Sequence, residues 1–519
     1  MSYRATVRGQ TFVFADLAEL LAKANEEKSG DVLAGLAADS AVERVAAQRA
    51  LADVRLSAFV DFPLVDDAVT ALALDNLDHA RLAQIASLTV GEFREFILDP
   101  NFGGADQRSN FGGADQRSNF GGADQRSNLG GADQRSNLGG ADHNFRAGWD
   151  GGLHRAILPE MAAAVAKIMS DKDLILGAAG LRVITRCRNT MGGAGTLGVR
   201  IQPNHPTDDV AGILVSVLDG LLFGCGDATL GVNPARDSVA STGRILHALH
   251  DLLEYLRLPT QTCVLAHIGT QLAALRSGAP VDLLFQSIAG TEAANDSFGI
   301  SIAQLADGRE EVLAHHATRP GEFVGRQVMY FETGQGSALS AEAHHGIDQL
   351  TLEARAQGLA RAFDPFLVNS VVGFIGPEYL ANARQITRAG LEDHFVGKLL
   401  GLPMGIDVCY TNHVDADTNT NDDLLVLLTA AGCNFIMGIP SSDDVMLSYQ
   451  STSYHDAAGM RELFGLGPAP EFGEWMEERG VLHRGRLMGG DPDLLRSLEA
   501  GARQAAGSSA QLPAGVGVR

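Results

Sequence analysis

Through the second half of the chain, short apolar runs of Val, Ile, Leu, Phe and Cys alternate with longer stretches whose apolar residues recur at helical spacing. The runs Leu197 to Gln202, Ala228 to Asn233, Thr262 to His267, Asp282 to Gln286, Val328 to Glu332, Val368 to Phe374, Gly405 to Cys409 and Asn434 to Gly438 read as strands. Between them the spacing predicts helices over Val210 to Leu221, Ser238 to Leu256, Leu350 to Phe363, Tyr379 to Leu400 and Asp422 to Ala431. Eight strand and helix units across about 250 residues are the arithmetic of an α/β protein of the (β/α)₈ TIM barrel kind. The strand interiors are apolar on both faces, as strands lining a packed barrel and covered by helices must be.

The N-terminal part carries helical spacing instead. Leu17, Leu20, Leu21 and Ala24 form one face, with Ser29 and Gly30 as the stop, and further helices are predicted over Val42 to Val54 and Val69 to Leu88. A helix from Glu160 to Met169 and an apolar segment from Leu181 to Arg186 lead into the barrel. From Asn101 to Ser136 the nonapeptide Asn-Phe/Leu-Gly-Gly-Ala-Asp-Gln-Arg-Ser repeats in tandem, with a decaying copy ending near Phe145. It lacks the third Gly and later Asp of calcium-binding β-roll repeats, and one large apolar side chain per unit is too little to offset the entropy of ordering it. The chain therefore divides into an α-helical region (1–100), a solvent-exposed mobile insertion (101–150), the barrel (151–450) and a C-terminal helical extension with a flexible Gly- and Ala-rich tail (451–519).

Polar residues gather where the strands end: Arg200 and Gln202, Asn233, His267, Gln286 and Ser287, Glu332, and Asp407. In the stretch Val328 to Ser340 the apolar run ends on Glu332, two glycines allow a tight turn, and Ser337 to Ser340 open a helix. A lone Glu there would be an ordinary loop carboxylate; several polar strand ends converging on one barrel mouth define a candidate active site. The net charge of -23 and pI near 5.0 argue against a nucleic-acid surface. Five scattered cysteines without a C-x-x-C pair fit reduced thiols, and the longest apolar run, Leu424 to Pro440, is interrupted by Thr429, Gly432 and Asn434. With no signal-peptide pattern at the N-terminus, these features predict a soluble, cytoplasmic protein without a membrane segment.

Other signals fail on context. Gly193 to Gly198 spells G-x-G-x-x-G but precedes a strand, and the acidic run Asp415 to Asp423 lacks the Gly and Glu of a calcium loop. His344, His345, His394, His413 and His455 have no metal-site spacing, so no metal ligand is assigned, and Gly-Gln-Gly-Ser337-Ala is not a nucleophile elbow.

The runs from Ser29 to Gly35, Gln202 to Asn204, Gly231 to Pro234, Tyr330 to Ala341, Val371 to Ala381 and Tyr410 to Thr418 resemble the ethanolamine ammonia-lyase large-subunit family, from the N-terminal helices to about Arg486. The resemblance implies adenosylcobalamin-dependent radical conversion of ethanolamine to acetaldehyde and ammonia, with a separate small subunit in a hetero-oligomer; whether it enters a bacterial microcompartment is left open. It assigns the substrate ammonium to Glu332, Gln202 and Asn233, and the hydroxyl to Arg200 and Asp407. The cobalamin side is assigned to Asn233, Pro234, Gln286, Ser287, Ser340, Phe374 and Met446. A guanidinium beside Asp407 would keep that carboxylate ionised. The run Glu392 to Gly397 is not D-x-H-x-x-G, which implies a cofactor retaining its own benzimidazole. Two other classes stay open: another barrel enzyme, such as a metal-assisted aldolase or hydrolase, which chelator would inactivate, and a non-catalytic homologue whose insertion mediates assembly.

Overall fold

All eight strand-like runs are strands of one parallel sheet in the computed structural model, which describes residues 2–99, 152–373, 375–444, 446–488 and 492–510. They are β1 (Gly198–Ile201), β2 (Thr229–Val232), β3 (Thr262–Val264), β4 (Leu284–Ser287), β5 (Met329–Thr333), β6 (Leu367–Gly373), β7 (Met404–Thr411) and β8 (Phe435–Gly438). Their order is β3-β2-β1-β8-β7-β6-β5-β4. The remaining seam is bridged where Leu283 N donates to Thr262 O at 3.3 Å, so the barrel is nearly closed. Helices follow the strands in turn, among them Val210–Leu222, Val239–Leu256, Ile268–Arg276, Ile302–His316, Gln349–Arg361, Ala383–Leu399 and Thr418–Ala430. Their starts are set locally: Asp209, Ser238, Asp348, Asn382 and Asp417 each accept a hydrogen bond from a first-turn backbone N–H.

The N-terminal region departs from the all-helical expectation. Tyr3–Val7 and Gln10–Phe14 form an antiparallel hairpin around a turn in which Arg8 and Gly9 both have positive φ. Leu17–Ala24 buries the face the spacing gave it, but the helix ends before Ser29, where a second short helix, Ser29–Leu33, begins. That second turn exists because Asp31 is buried and held by the Asn25 amide at 2.8 Å and the Gln349 backbone N–H at 2.9 Å. The single helix expected over Val69 to Leu88 is two, Ala68–Asp75 and His79–Ile85, with Asp78 capping the second.

At the other end, Pro492–Ala510 is a helix packed on Val239–Leu256 and Val210–Leu222, with Leu498, Ala502 and Ala505 buried. The C-terminal extension, expected to be helical and to end in a flexible tail, is helical over Pro492–Ala510. Residues 511–519, the nonapeptide insertion and Phe374 lie outside the described residues. All five cysteines are buried and free, and no described helix is long and apolar enough to cross a membrane.

Candidate active site

Side chains two apart on a strand share a face, so Arg200 and Gln202 at the end of β1, and Tyr330 and Glu332 on β5, all turn to the barrel interior. Arg200 is fully buried and lies across it. One guanidinium nitrogen donates to Glu332 Oε1 at 2.7 Å and to the Tyr330 hydroxyl, and the other to Gln202 Oε1 at 2.6 Å. Asn233, just past β2, donates from Nδ2 to the same Gln202 oxygen at 3.0 Å. Asn369 on β6 approaches Glu332 Oε1 at 3.4 Å.

Beyond β8 the chain doubles back as a strap. Asp443–Asp444 pairs with Tyr449–Gln450, which itself pairs antiparallel with Tyr410 and Thr411 at the end of β7. This carries Tyr449 and Asp444 over the barrel mouth, where the Gln202 amide donates to both, at 2.7 and 2.9 Å. Asp407 on β7 accepts from the Ser451 hydroxyl at 2.6 Å and the Tyr449 hydroxyl at 3.2 Å.

The expected pairing of Arg200 with Asp407 is corrected by this arrangement. The guanidinium's close carboxylate is Glu332, and burial pushes the Asp407 carboxyl up to about 7, outweighing the lowering by Ser451 and by the more distant Arg200 charge. Asp407 therefore carries its proton over much of the range below neutral, whereas an ionised group had been expected.

These groups surround a cavity of about 310 Å³. Gln202, Asn233, Ser287, Glu332, Asp407 and Tyr449 give its polar wall; Leu265, Phe285, Ile288, Phe298, Val371, Ile375 and Leu447 give the apolar one. Arg200 sits beneath it rather than in its wall. Of the residues expected on the cofactor side, only Asn233 and Ser287 line the cavity among those described. Gln286 is turned away, accepting from Ile268 N at 2.9 Å and donating to Ser287 O at 3.0 Å. Pro234 and Met446 are half-buried, the latter with its backbone N–H on Asp444. Ser340 is exposed, its hydroxyl donating to Ser337 O at 2.8 Å. His267 serves as the N-cap of Ile268–Arg276. His394 is buried in Ala383–Leu399, outside the cavity wall.

Tyr330, Asn369, Asp444, Tyr449 and Ser451 went unrecognised in the sequence. Tyr330 had a readable signal, lying two residues before Glu332 on the same strand face; the strap residues had none, since their place depends on non-local pairing. The described residues also bring His250, Glu254 and Glu322 within ligand distance of one another, but Glu322 is already paired with Arg188 at 2.6 Å and with Arg319.

A (β/α)₈ barrel with a carboxylate, a protonatable carboxyl and amides gathered around a cavity at its C-terminal mouth is an enzyme of small, polar substrates. The chain belongs to the ethanolamine ammonia-lyase large-subunit (EutB) family, whose model matches residues 12–111 and 148–489. The unmatched stretch between them, residues 112–147, falls inside the 101–150 insertion. The chain is 44% identical over 499 residues to the ethanolamine ammonia-lyase large subunits of Escherichia coli (strain K12) and Salmonella typhimurium (strain LT2), covering 95% of this chain and 100% of each relative.

Proposed function

We propose that this chain is the catalytic large subunit of an adenosylcobalamin-dependent lyase that converts ethanolamine to acetaldehyde and ammonia, working with a small subunit in the cytoplasm. The observation that carries this reading is the convergence of Glu332, Gln202, Asn233 and Asp407 on one cavity in a chain of this family. An aminoalcohol has a cationic end, which calls for one carboxylate with neutral acceptors beside it, and a hydroxyl end, which calls for a donor and an acceptor. Glu332 is the anionic wall residue, and Gln202 and Asn233 lie beside it. The hydroxyl falls to Asp407 and Arg200, of which only Asp407 lines the cavity.

The cavity holds more than the substrate. Its volume of about 310 Å³ exceeds what a two-carbon molecule fills but is far too small to enclose a corrinoid, so the cofactor would lie against the cavity and not within it. Ser287 and Asn233 in the wall, with Pro234 and Met446 nearby, would hold the cofactor through neutral groups, joined in this reading by Gln286, Ser340 and Phe374. When bound, adenosylcobalamin supplies the radical chemistry that removes a hydrogen atom from the hydroxyl-bearing carbon. The chain's own residues bind, orient and shield. Glu332 holds the ammonium and exchanges a proton with the migrating amino group, with Arg200 fixing its carboxylate. Asp407 stabilises charge as the substrate oxygen gains carbonyl character. The apolar wall keeps water away from the reacting carbon.

The test is product release by the reconstituted pair of subunits. Acetaldehyde and ammonia should form only with adenosylcobalamin and ethanolamine together, and chelator should leave the rate unchanged. Cofactor-independent turnover, or loss of activity to chelator, would instead favour a metal-assisted barrel enzyme.

A further inference from the structure

The Gln202 side chain has no hydrogen-bonding capacity to spare. A primary amide offers two lone pairs and two hydrogens. Its oxygen accepts from Arg200 at 2.6 Å and Asn233 at 3.0 Å, and its nitrogen donates to Tyr449 at 2.7 Å and Asp444 at 2.9 Å. Because the Tyr449 hydroxyl accepts from Gln202, its own proton is directed to Asp407 Oδ2 at 3.2 Å. Asp444 in turn accepts from the backbone N–H groups of Met446 and Leu447 with its other oxygen, at 3.0 and 2.8 Å, so the strap braces itself before it grips the amide.

We propose that Tyr449 is a positioning residue of the lyase reaction: its hydroxyl bridges the Gln202 amide and Asp407 Oδ2, and so fixes the Asp407 carboxyl at the cavity wall. This rests on the function proposed above. Arg200, which can only donate, and the Asp444 carboxylate, which accepts, already set the orientation of the amide, so what the Tyr449 hydroxyl adds is the bridge from that fixed amide to Asp407. Without the hydroxyl the amide keeps its orientation through Arg200 and Asp444, but Asp407 loses its link to it. Tyr449 is 1% exposed and lines the cavity, so it acts from inside the site with no competition from bulk water.

Asp407 reports the same link. The groups facing it are Arg200 from β1, Glu332 from β5, Cys409 on its own strand, and Tyr449 and Ser451 from the strap and the residues after it. Both hydroxyls hold its carboxyl down against the burial that raises it, so removing either one raises it further.

The experiment compares Tyr449→Phe with wild type in the assembled holoenzyme. Loss of the bridge between Gln202 and Asp407 should lower kcat/KM for ethanolamine about 10- to 100-fold, with the limb of the pH profile due to Asp407 moved upward. Infrared difference spectroscopy, with Asp407→Asn as the blank, follows the carboxyl without needing turnover and should show the same upward move. Ser451→Ala, which leaves Tyr449 in place, should raise the carboxyl without the same loss in kcat/KM, and it keeps the carboxyl arm readable if Tyr449→Phe fails to assemble. An unmoved carboxyl in Tyr449→Phe, or a kcat/KM within twofold of wild type, overturns the proposal. A wild-type holoenzyme that releases no acetaldehyde counts against the lyase reading, and the infrared arm then still decides the role of Tyr449.

Discussion

Replacing Lys28 with Met should both destabilise the protein and slow it, although Lys28 touches neither cavity nor substrate. Its ammonium lies 2.8 Å from Glu392 Oε2 with neither side chain exposed, and Arg388 Nε holds the other carboxylate oxygen at 2.7 Å. Burial alone would raise the Glu392 carboxyl, but the Lys28 and Arg388 charges hold it at about 2, against an ordinary 4.5. At roughly 1.4 kcal/mol per unit, that depression contributes about 3 kcal/mol of stability, present above pH about 4.5 and lost as pH falls toward about 2. Lys28→Met leaves half of this charge uncompensated in the interior and should cost about 3–5 kcal/mol, read as a lowered midpoint in equilibrium urea unfolding. The double variant Lys28→Met with Glu392→Gln should recover part of the loss. Arg388 then still has the carbonyls of Met169 and Ala166 and the Asp171 carboxylate at 2.9 Å. The kinetic effect follows from Gln335, two residues after Thr333, whose amide is 2.7 Å from Asp393 and 3.4 Å from Glu392. Loosening Glu392 loosens the turn that follows Glu332. A Lys28→Met loss below about 1 kcal/mol, or additive single-variant losses in the double, would refute this reasoning.

Glu332→Gln removes the carboxylate that faces both the cavity and the buried Arg200 guanidinium, and should lower kcat/KM by about 10²–10³ while cobalamin binding, followed by its absorption spectrum, is retained. Glu353 is fully enclosed, accepting from Thr333 and from Gln357 at 3.1 Å with no cation among the influences on it, and burial pushes its carboxyl up to about 7. A raised carboxyl contributes stability that is complete below its unfolded value near 4.5 and is lost as pH rises through about 7. Wild type should thus unfold more readily at pH 8 than at pH 5, and Glu353→Gln should flatten that slope in thermal scans. Gly336 has φ +100° and a Cβ there would lie 2.8–3.2 Å from Tyr379 side-chain atoms. Gly336→Ala should therefore cost about 1–3 kcal/mol and lower kcat, with Tyr379→Ala removing the ring contacts but leaving the Tyr379 Cβ contact at 2.9 Å and the backbone strain.

What could be read from the sequence followed how far each feature depends on distant parts of the chain. All eight strands were legible because a short apolar run bounded by polar residues is a local signal, and Arg200, Gln202, Glu332 and Asp407 were legible because they end such runs. Composition misled at the C-terminus: the Gly and Ala content beyond Arg486 masks a stripe at Leu498, Ala502 and Ala505, whose spacing of four and three is that of a packed helix. The N-terminal hairpin was hidden by charged residues at Arg4 and Arg8 and by its exposed outer face.

Charge pairing within the site needed the ring order itself. In an eight-strand barrel β1 stands opposite β5, with β7 two strands from β1 and two from β5. A residue ending β1 can meet one ending β5 only by crossing the interior, and Arg200 is long enough to do so. Its other guanidinium nitrogen then falls on Gln202, two residues along its own strand, and no part of the fork is directed at β7. Asp407 is thereby left to neutral hydroxyls from the strap, and its proton affinity rises because burial is no longer offset by an adjacent cation. The two carboxyls of the site thus differ in the groups that hold them: Glu332 is fixed by a guanidinium and Asp407 by two hydroxyls. In the proposed reading, that asymmetry would separate a group that grips a cation from one that holds a proton beside the substrate oxygen; the asymmetry itself follows from strand order and side-chain length rather than from any motif.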